Sequence, residues 1–488
     1  MVVSVGPPVA GVRCANQERD PTVRSKKTAE RWVSRARRSP WRELTAPQLF
    51  AGSFLVLILA GMAGLKVLPG LYVEEELGWI DALFTSASAV CVTGLIVVDT
   101  ATYFTAAGQA FLLLLIQLGG LGVITFTSVI LVAFGLRISL RQEEVSRNAA
   151  AKPEIDSLRL ARSILLFTFG IEAVGAALLY VVWVPALGYR GAVWPAVFHA
   201  ISAFCNAGFS VFSDSLVGFH RHAAVLIVVM ILIVTGGIGF LTLEELHQLR
   251  AARRARKSFR LSVHSRLVLL TTAVLVLGGW ILLCSFEWRG VLAGMPFGPK
   301  LLNALFMSVT ARTAGFNTVD YAATAPSANF LTILLMAIGG SPGSTAGGFK
   351  TTTLALLGLV TIRRLRGDTA IHVSGRSMPE ENVQRAISLF VASFGLIAIA
   401  VFLFTITESA LLGASSHQFL SLMFEAVSAF NTVGLSMGAT PELSPAGRLL
   451  TTALMYLGRV GPLTLAAALA RRKRAHRYRY AYEEVAIG

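Results

Sequence analysis

Long apolar blocks separated by short polar linkers set the pattern of this chain. Eight blocks, at about 47–70, 106–136, 160–187, 223–246, 265–286, 329–362, 386–412 and 446–470, each approach or exceed the length a membrane-crossing helix needs. They predict eight spanning helices. The linkers at 137–163, 247–266 and 363–385, like both ends of the sequence, are rich in Arg and Lys, whereas those at 71–81, 211–222, 287–300, 318–328 and 436–445 are not. Basic loops remain on the cytosolic side. An even number of spans with both ends basic therefore predicts cytosolic termini.

Composition narrows the class. Hydrophobic residues make up 54% of the 488 positions and charged residues only 14%, with a mean hydropathy of +0.66. Soluble domains carry about 25% charged residues, so a soluble multidomain enzyme and a disordered chain are both excluded. The net charge of +16 suggests nucleic acid until it is located. Residues 1–45 hold ten basic against four acidic residues, 247–266 seven against none, and 471–488 six against two. The excess thus sits at the borders of apolar blocks. Residues 1–45 read as a basic cytosolic arm and 471–488 as a basic cytosolic tail. The arm is no secretory signal, because Arg13 to Arg42 precede the first apolar run and no short apolar core follows Met1. Cys14, Cys91, Cys205 and Cys284 show neither CxxC nor metal-ligand spacing, and Cys91 and Cys205 read as small apolar fillers.

A fourfold repeat lies within this pattern. After the first, third, fifth and seventh spans comes a short half-apolar segment that opens on Phe and ends at Gly. The segments run Phe84 to Gly94, Phe198 to Gly208, Phe306 to Gly315 and Phe424 to Gly434, the third being one residue shorter. A second marker recurs within each even-numbered span: Gly119-Gly-Leu-Gly122, Gly236-Gly-Ile-Gly239, Gly339-Gly-Ser-Pro-Gly343 and Gly458-Arg-Val-Gly461. The offsets between the two glycine markers are 25, 28, 24 and 24 residues. Internal self-similarity of this kind governs the fold. The unit is helix, short re-entrant helix, glycine-ended loop, helix. The predicted fold is an all-α polytopic membrane protein with four such units around a pseudo-fourfold pore: 46–136, 160–246, 265–362 and 386–470.

A segment of about ten residues is too short to cross the hydrocarbon core, so each must enter and return on one side. Irregular backbone at membrane depth persists only where it is buried in protein or lines a cavity. Four glycine-ended loops around one axis would offer carbonyl oxygens in place of the water shell of a monovalent cation. The C-terminal ends of the short helices would add their partial negative charge.

These motifs resemble those of the superfamily of potassium transporters that includes the Trk, Ktr and HKT proteins, and most of all the KtrB-type membrane subunit of bacterial uptake systems. The resemblance is carried by Thr93-Gly-Leu-Ile-Val-Val-Asp99, Asn206-Ala-Gly-Phe209, Thr310-Ala-Arg-Thr-Ala-Gly-Phe-Asn-Thr318, Gly340-Ser-Pro-Gly-Ser-Thr-Ala-Gly-Gly348 and Gly458-Arg-Val-Gly-Pro-Leu-Thr464. It implies a selectivity filter at Val92, Thr93, Gly94, Asn206, Ala207, Gly208, Thr313, Ala314, Gly315, Thr432, Val433 and Gly434, with potassium bound at the four glycines. It implies a bacterial cell membrane location, a homodimer, and a cytosolic ring of nucleotide-binding regulatory subunits of the KtrA type. Potassium is the implied substrate, with sodium as a coupled or activating ion, and no covalent cofactor is expected. The basic stretch 247–266, Arg363 to Arg366 and Arg471 to Arg479 are candidate contacts for that ring or for anionic lipid.

Charged residues inside apolar sequence are the other candidates. Arg459 replaces the second glycine of its marker at mid-span, where arginine is costly and faces a cavity or a partner. It reads as a positive barrier in the permeation path, or else as the partner of a buried carboxylate such as Glu172 or Glu408. Residues 339–348 contain five glycines and a proline, so the helix must break there. With the resemblance, this segment reads as an intramembrane gate involving Gly340, Gly343, Ser344, Thr345, Ala346, Gly347 and Gly348; the alternative is a static kink. It is no nucleotide-phosphate loop, because Phe349 separates Gly348 from Lys350 and no strand precedes it.

Arg312 is expected behind the third loop, braced against Glu425. Asn317, Asn431 and Thr432 are candidate donors to loop carbonyls or else helix caps. Asp81 is expected to cap the first short helix, Asp99, Asp214 and Asp320 to attract cations at the outer mouth or simply to be solvated, and His199 to pack or cap. A secondary transporter with broken helices and alternating access is the competing function, disfavoured because the four units repeat in parallel order. No HExxH, no Ser/His/Asp set and no aspartate pair within the spans points to an enzyme.

Overall fold

The computed structural model describes residues 45–133, 157–367, 372–373, 376–409 and 416–469. Apart from Thr45, the basic arm 1–45 and the tail 471–488 lie outside the described residues. The first unit comprises α1 (Ala46–Val67), α2 (Trp79–Val90) and α3 (Ala106–Ala133). The second comprises α4 (Ser157–Cys205), whose course is broken at Gly188, then α5 (Ala223–Ile238) and α6 (Phe240–Arg254). The third contains α7 (Val263–Glu287), α8 (Phe297–Thr310), α9 (Pro326–Ala337) and α10 (Thr351–Leu365). The fourth contains α11 (Glu380–Thr407), α12 (Ser416–Phe430), α13 (Pro445–Val460) and α14 (Pro462–Leu469). The fold is all-helical, as expected, with one minimal antiparallel hairpin of His372–Val373 and Arg376–Ser377 between the third and fourth units.

Among the described residues, four helices are long and apolar enough to cross a membrane, α1, α4, α7 and α11, with mean hydropathies between 2.0 and 2.7. At most 33% of each of their apolar windows is buried within the chain, so their apolar surface faces outward, as it does on a helix surrounded by lipid. Three of the remaining apolar blocks, 223–246, 329–362 and 446–470, are interrupted, whereas α3 runs through 106–133 as one helix. Where the sequence predicts straight helices over 223–246 and 446–470, the chain turns at Gly239 (φ 92°) and Gly461 (φ 85°), the closing glycines of the second and fourth markers. At Gly239 the α5 and α6 axes differ by 104°. The 329–362 block divides into α9 and α10, joined by an irregular segment over 338–350.

Local chemistry explains the helix starts. Thr45 and Gln48 form a capping box at α1, with the Thr45 N–H donating to Gln48 Oε1 at 2.9 Å. Ser262 caps α7 by accepting from the Ser265 N–H at 3.1 Å. Two buried carboxylates do the same across elements. Glu287, at the end of α7, accepts from the N–H of Ala325 at 2.7 Å, and Glu408, after α11, accepts from the N–H and hydroxyl of Ser444 at 3.0 and 2.6 Å. Ala325 and Ser444 are the N-caps of α9 and α13, so an acid from one helix satisfies the exposed donors of the next.

The buried core falls into three clusters, and each joins neighbouring units. One packs Phe84 and Leu112 with Phe404, Phe430 and Leu454; a second packs Trp183 and Phe204 with Phe306; the third packs Met307 and Met336 with Phe424 and Val433. The opening phenylalanines of the four repeats, Phe84, Phe198, Phe306 and Phe424, are all fully buried. They anchor the short helices whose C-termini feed the glycine loops.

Candidate functional site

Each short helix, α2, the 189–205 arm of α4, α8 and α12, ends just before its loop and enters it with the same backbone. The residue two before the glycine is left-handed in all four: Val92 (φ 56°), Asn206 (59°), Thr313 (68°) and Thr432 (50°). The glycines follow at φ 94°, 69°, 80° and 89° for Gly94, Gly208, Gly315 and Gly434. Of six left-handed non-glycine residues among the described residues, four occupy this one repeated position. Such conformations cost about 1–3 kcal/mol each and persist only where their surroundings hold them.

The loops meet one another in cyclic order. A Cβ on Gly94 would lie 2.3 Å from the Ala207 carbonyl oxygen, and one on Gly208 2.9 Å from that of Ala314. One on Gly315 would lie 2.7 Å from the Val433 oxygen, and one on Gly434 2.1 Å from the Thr93 oxygen. In every case the neighbour is the residue preceding the next loop's glycine, and the fourth contact closes on the first loop. Only glycine combines this approach with a left-handed φ at no steric cost. Eight of the twelve residues singled out from sequence, the four glycines and the residues before them, are thus brought together.

A hydroxyl four residues after each opening Phe supports each loop from behind. Ser88 Oγ donates to the Leu95 oxygen at 2.7 Å, Ser202 Oγ to Phe209 at 2.8 Å and Thr310 Oγ1 to Phe316 at 2.6 Å; Ser428 Oγ accepts from the Gly434 N–H at 3.1 Å. Sequence reasoning passed over these four, although their shared position in the repeat is a visible signal. Ser428→Ala removes one brace while leaving the ring glycines intact. If the loops select cations, as the resemblance implies, it is expected to lower discrimination between alkali cations several-fold with near-normal protein levels, as read by competitive rubidium and sodium uptake. Unchanged discrimination would make the brace purely structural.

Further out, His199 Nε2 pairs with Ser210 Oγ at 2.9 Å and its Nδ1 with the Pro195 oxygen at 2.8 Å. Glu425 accepts from Ser436 Oγ and Thr440 Oγ1, both at 2.5 Å, and from the Met437 N–H at 3.0 Å. Glu425 therefore does not brace Arg312. Its carboxylate is spent on the chain leaving its own loop, and Arg312 Nη2 instead reaches the Gly339 oxygen at 3.4 Å.

The cap expected of Asp81 is also corrected. Asp81 does not cap α2, whose N-cap is Gly78; it pairs with Arg448 Nη1 at 2.5 Å and so ties the first unit to the fourth. Asp99 and Asp320 are caps of short local turns, accepting from the N–H groups of Ala101 at 3.0 Å and Ala322 at 2.9 Å, while Asp214 is exposed. Asn431 Nδ2 donates back to the Val427 oxygen at 3.0 Å and Asn317 Nδ2 to Val319 at 3.3 Å, both local and neither to a glycine-loop carbonyl. The hydroxyls of Thr93, Thr313 and Thr432 are buried without a hydrogen-bond partner.

Beneath the ring lies the segment 338–350. Ser341 N–H donates to the Gly237 oxygen at 3.0 Å, Thr345 N–H to Gly236 at 3.3 Å, and Phe240 N–H returns a bond to Gly343 at 3.0 Å. Thr345 Oγ1 reaches the Phe204 oxygen at 3.2 Å, at the end of the second short helix. On the other side, a Cβ on Gly347 would fall 2.0 Å from Thr432 Oγ1, and one on Gly348 2.5 Å from Asn431 Oδ1. The segment therefore spans from the second loop to the fourth. Ser341, Ser344, Thr345 and Ala346 are buried.

Two cations hold this segment by its carbonyls. Arg459, only 5% exposed, donates through Nη1 to the Thr345 oxygen and through Nη2 to Gly119 at 3.4 Å. Neither carboxylate offered as its partner pairs with it: Glu172 accepts from Gln117 Nε2 at 2.9 Å, and Glu408 caps α13. Lys350 Nζ donates to the Ala346 oxygen at 2.6 Å. Its role was hidden in the sequence, where it registers only as the end of a failed phosphate-loop pattern. The first marker glycines have a separate use, since a Cβ on Gly119, Gly236 or Gly458 would strike carbonyls in the last turns of the short helices, at Val90, Phe204 and Phe430, at 1.9, 1.9 and 1.6 Å.

Comparison with known proteins identifies the family. The family model described as TrkH, cation transport protein, matches residues 49–477. The potassium/sodium uptake protein NtpJ of Enterococcus hirae is 38% identical over 453 residues, covering 92% of this chain and 98% of that protein. The Ktr system potassium uptake protein B of Bacillus subtilis is 38% identical over 451 residues, with the same coverage of 92% and 98%. In fold, the crystal structure of the potassium transporter TrkH from Vibrio parahaemolyticus superposes with a TM-score of 0.70 at 20% identity, covering 88% of this chain and 86% of that one. The chain belongs to the TrkH family of cation transport proteins.

Proposed function

We propose that the chain is the ion-translocating subunit of a channel-like potassium uptake system in the bacterial cell membrane. The observation that carries this reading is the closed cycle of glycine-to-carbonyl contacts at Gly94, Gly208, Gly315 and Gly434. Potassium sheds its water in exchange for the carbonyl oxygens of the four loops, and the C-terminal ends of four helices converge behind them with partial negative charge. The membrane potential drives the ion inward. Segment 339–348 acts as the gate, and Arg459 sets a positive barrier while latching that gate. Sodium serves as a second cation or activator, in keeping with the Enterococcus hirae relative, a potassium/sodium uptake protein.

In this reading the chain makes eight passes with both termini in the cytosol, each of the four units 46–136, 160–246, 265–362 and 386–470 contributing a short helix that enters and returns on the outer side. The subunit forms a homodimer. Its basic cytosolic surface, including Arg253 and Arg254 at the end of α6 and Arg363 and Arg364 in the last turn of α10, receives a ring of nucleotide-binding subunits. A structure soaked in rubidium tests the central claim: density is expected on the axis enclosed by the four glycines. Rubidium found only elsewhere, or uptake absent from a potassium-deficient bacterium that expresses the chain with its regulatory subunit, would overturn it.

A further inference from the structure

Behind the third loop is a small void whose walls are apolar, formed by Ile233, Val234, Val276 and Val309, and whose polar side chains are Thr272 and Arg312. Its volume of about 10 Å³ is that of one water-sized occupant, and a chloride, being larger, requires the aliphatic walls to give slightly. Both polar side chains are only 8% exposed, and both present an unsatisfied atom, Arg312 Nε and Thr272 Oγ1. They come from different elements, α7 and the end of the third short helix, so the two orphan donors converge without any local reason to do so.

The charge of Arg312 is also uncompensated. Its guanidinium makes a single long contact, 3.4 Å to the Gly339 oxygen. The buried carboxylates among the described residues are Glu172, Glu287, Glu408 and Glu425, and each is engaged elsewhere, with Gln117, Ala325, Ser444 and Ser436 respectively. A buried charge without a counter-charge is expensive. This one stands three residues before Gly315, where an unscreened positive charge opposes a cation. Two buried donors and one unmatched positive charge facing the same small void call for an acceptor that is negative.

We infer that this void binds one small anion, chloride under ordinary salt conditions, between the Nε–H of Arg312 and the hydroxyl of Thr272. The anion is the counter-ion of Arg312 and shields the third loop from its charge. Binding itself is independent of the permeation reading; only the shielding role rests on it.

The test uses full-length protein with potassium held constant. Crystals grown in sodium bromide are expected to give one bromine anomalous peak between Arg312 and Thr272, and chloride is expected to raise the melting temperature above that in gluconate by about 2–4 °C. Arg312→Gln is an uncertain probe because it can destabilise the loop. Thr272→Val keeps the size of the side chain and the arginine, and is expected to abolish both the peak and the chloride-specific shift. Density without anomalous signal, which identifies a water, would overturn the inference, as would an empty void or an equal chloride response in Thr272→Val. Loss of rubidium from the axis with the bromide peak retained would instead count against the permeation reading alone.

Discussion

Gly434→Asp is expected to reduce potassium uptake to the background of a potassium-deficient host while the protein still reaches the membrane. Gly434 is left-handed at φ 89°, and its nearest neighbour in the ring is the Thr93 oxygen, 2.1 Å from where a Cβ would lie. Any side chain must therefore displace the carbonyl of the first loop, and aspartate adds a fixed negative charge that would trap a cation it did not exclude. Gly434→Ala isolates the steric part. An L-residue held left-handed costs about 1–2 kcal/mol, so the potassium concentration for half-maximal growth should rise roughly tenfold. Normal uptake by well-folded Gly434→Asp protein would show that the ring is not the route.

Arg459→Gln is expected to raise cation flux roughly tenfold, because removing a buried charge near the path lowers the barrier by about 1–2 kcal/mol even at a high effective dielectric. Two comparisons separate barrier from latch. Arg459→Lys keeps the charge but loses the planar fork that now bridges Thr345 and Gly119; it should retain low flux if charge dominates and leak if latching dominates. Deleting 343–346 removes the carbonyl that Arg459 grips and should also leak in the resting state. Reduced flux together with a loss of folded protein in all three variants would mark Arg459 as a structural brace. Rubidium efflux from proteoliposomes, normalised to folded protein by size-exclusion chromatography, reads each outcome.

The repeat was legible in the sequence because it rests on residues with no substitute. Phe at the start and Gly at the end of each short segment recur at nearly fixed spacing, and the second glycine marker recurs because a side chain at Gly119, Gly236 or Gly458 would collide with a helix end. The helix breaks at Gly239 and Gly461 were less visible: a lone glycine in an apolar run is compatible with a continuous helix, and its φ is set by what packs beside it. Partners across the fold were hidden for a different reason. Asp81 is 367 residues from Arg448, and the destinations of Arg312, Glu408 and Glu425 depend on which units become neighbours. The charged residues could be identified as costly from sequence, but their bonding could not.

The cyclic order of the ring carbonyls carries a further consequence. The carbonyl that a side chain at each glycine would meet belongs to the unit that follows it, so injury at one quarter presses first on its successor. A defect introduced at Gly94 should surface at Ala207, and one at Gly315 at Val433. The four quarters share one polypeptide, so compensating changes should arise in the successor quarter rather than in the injured one.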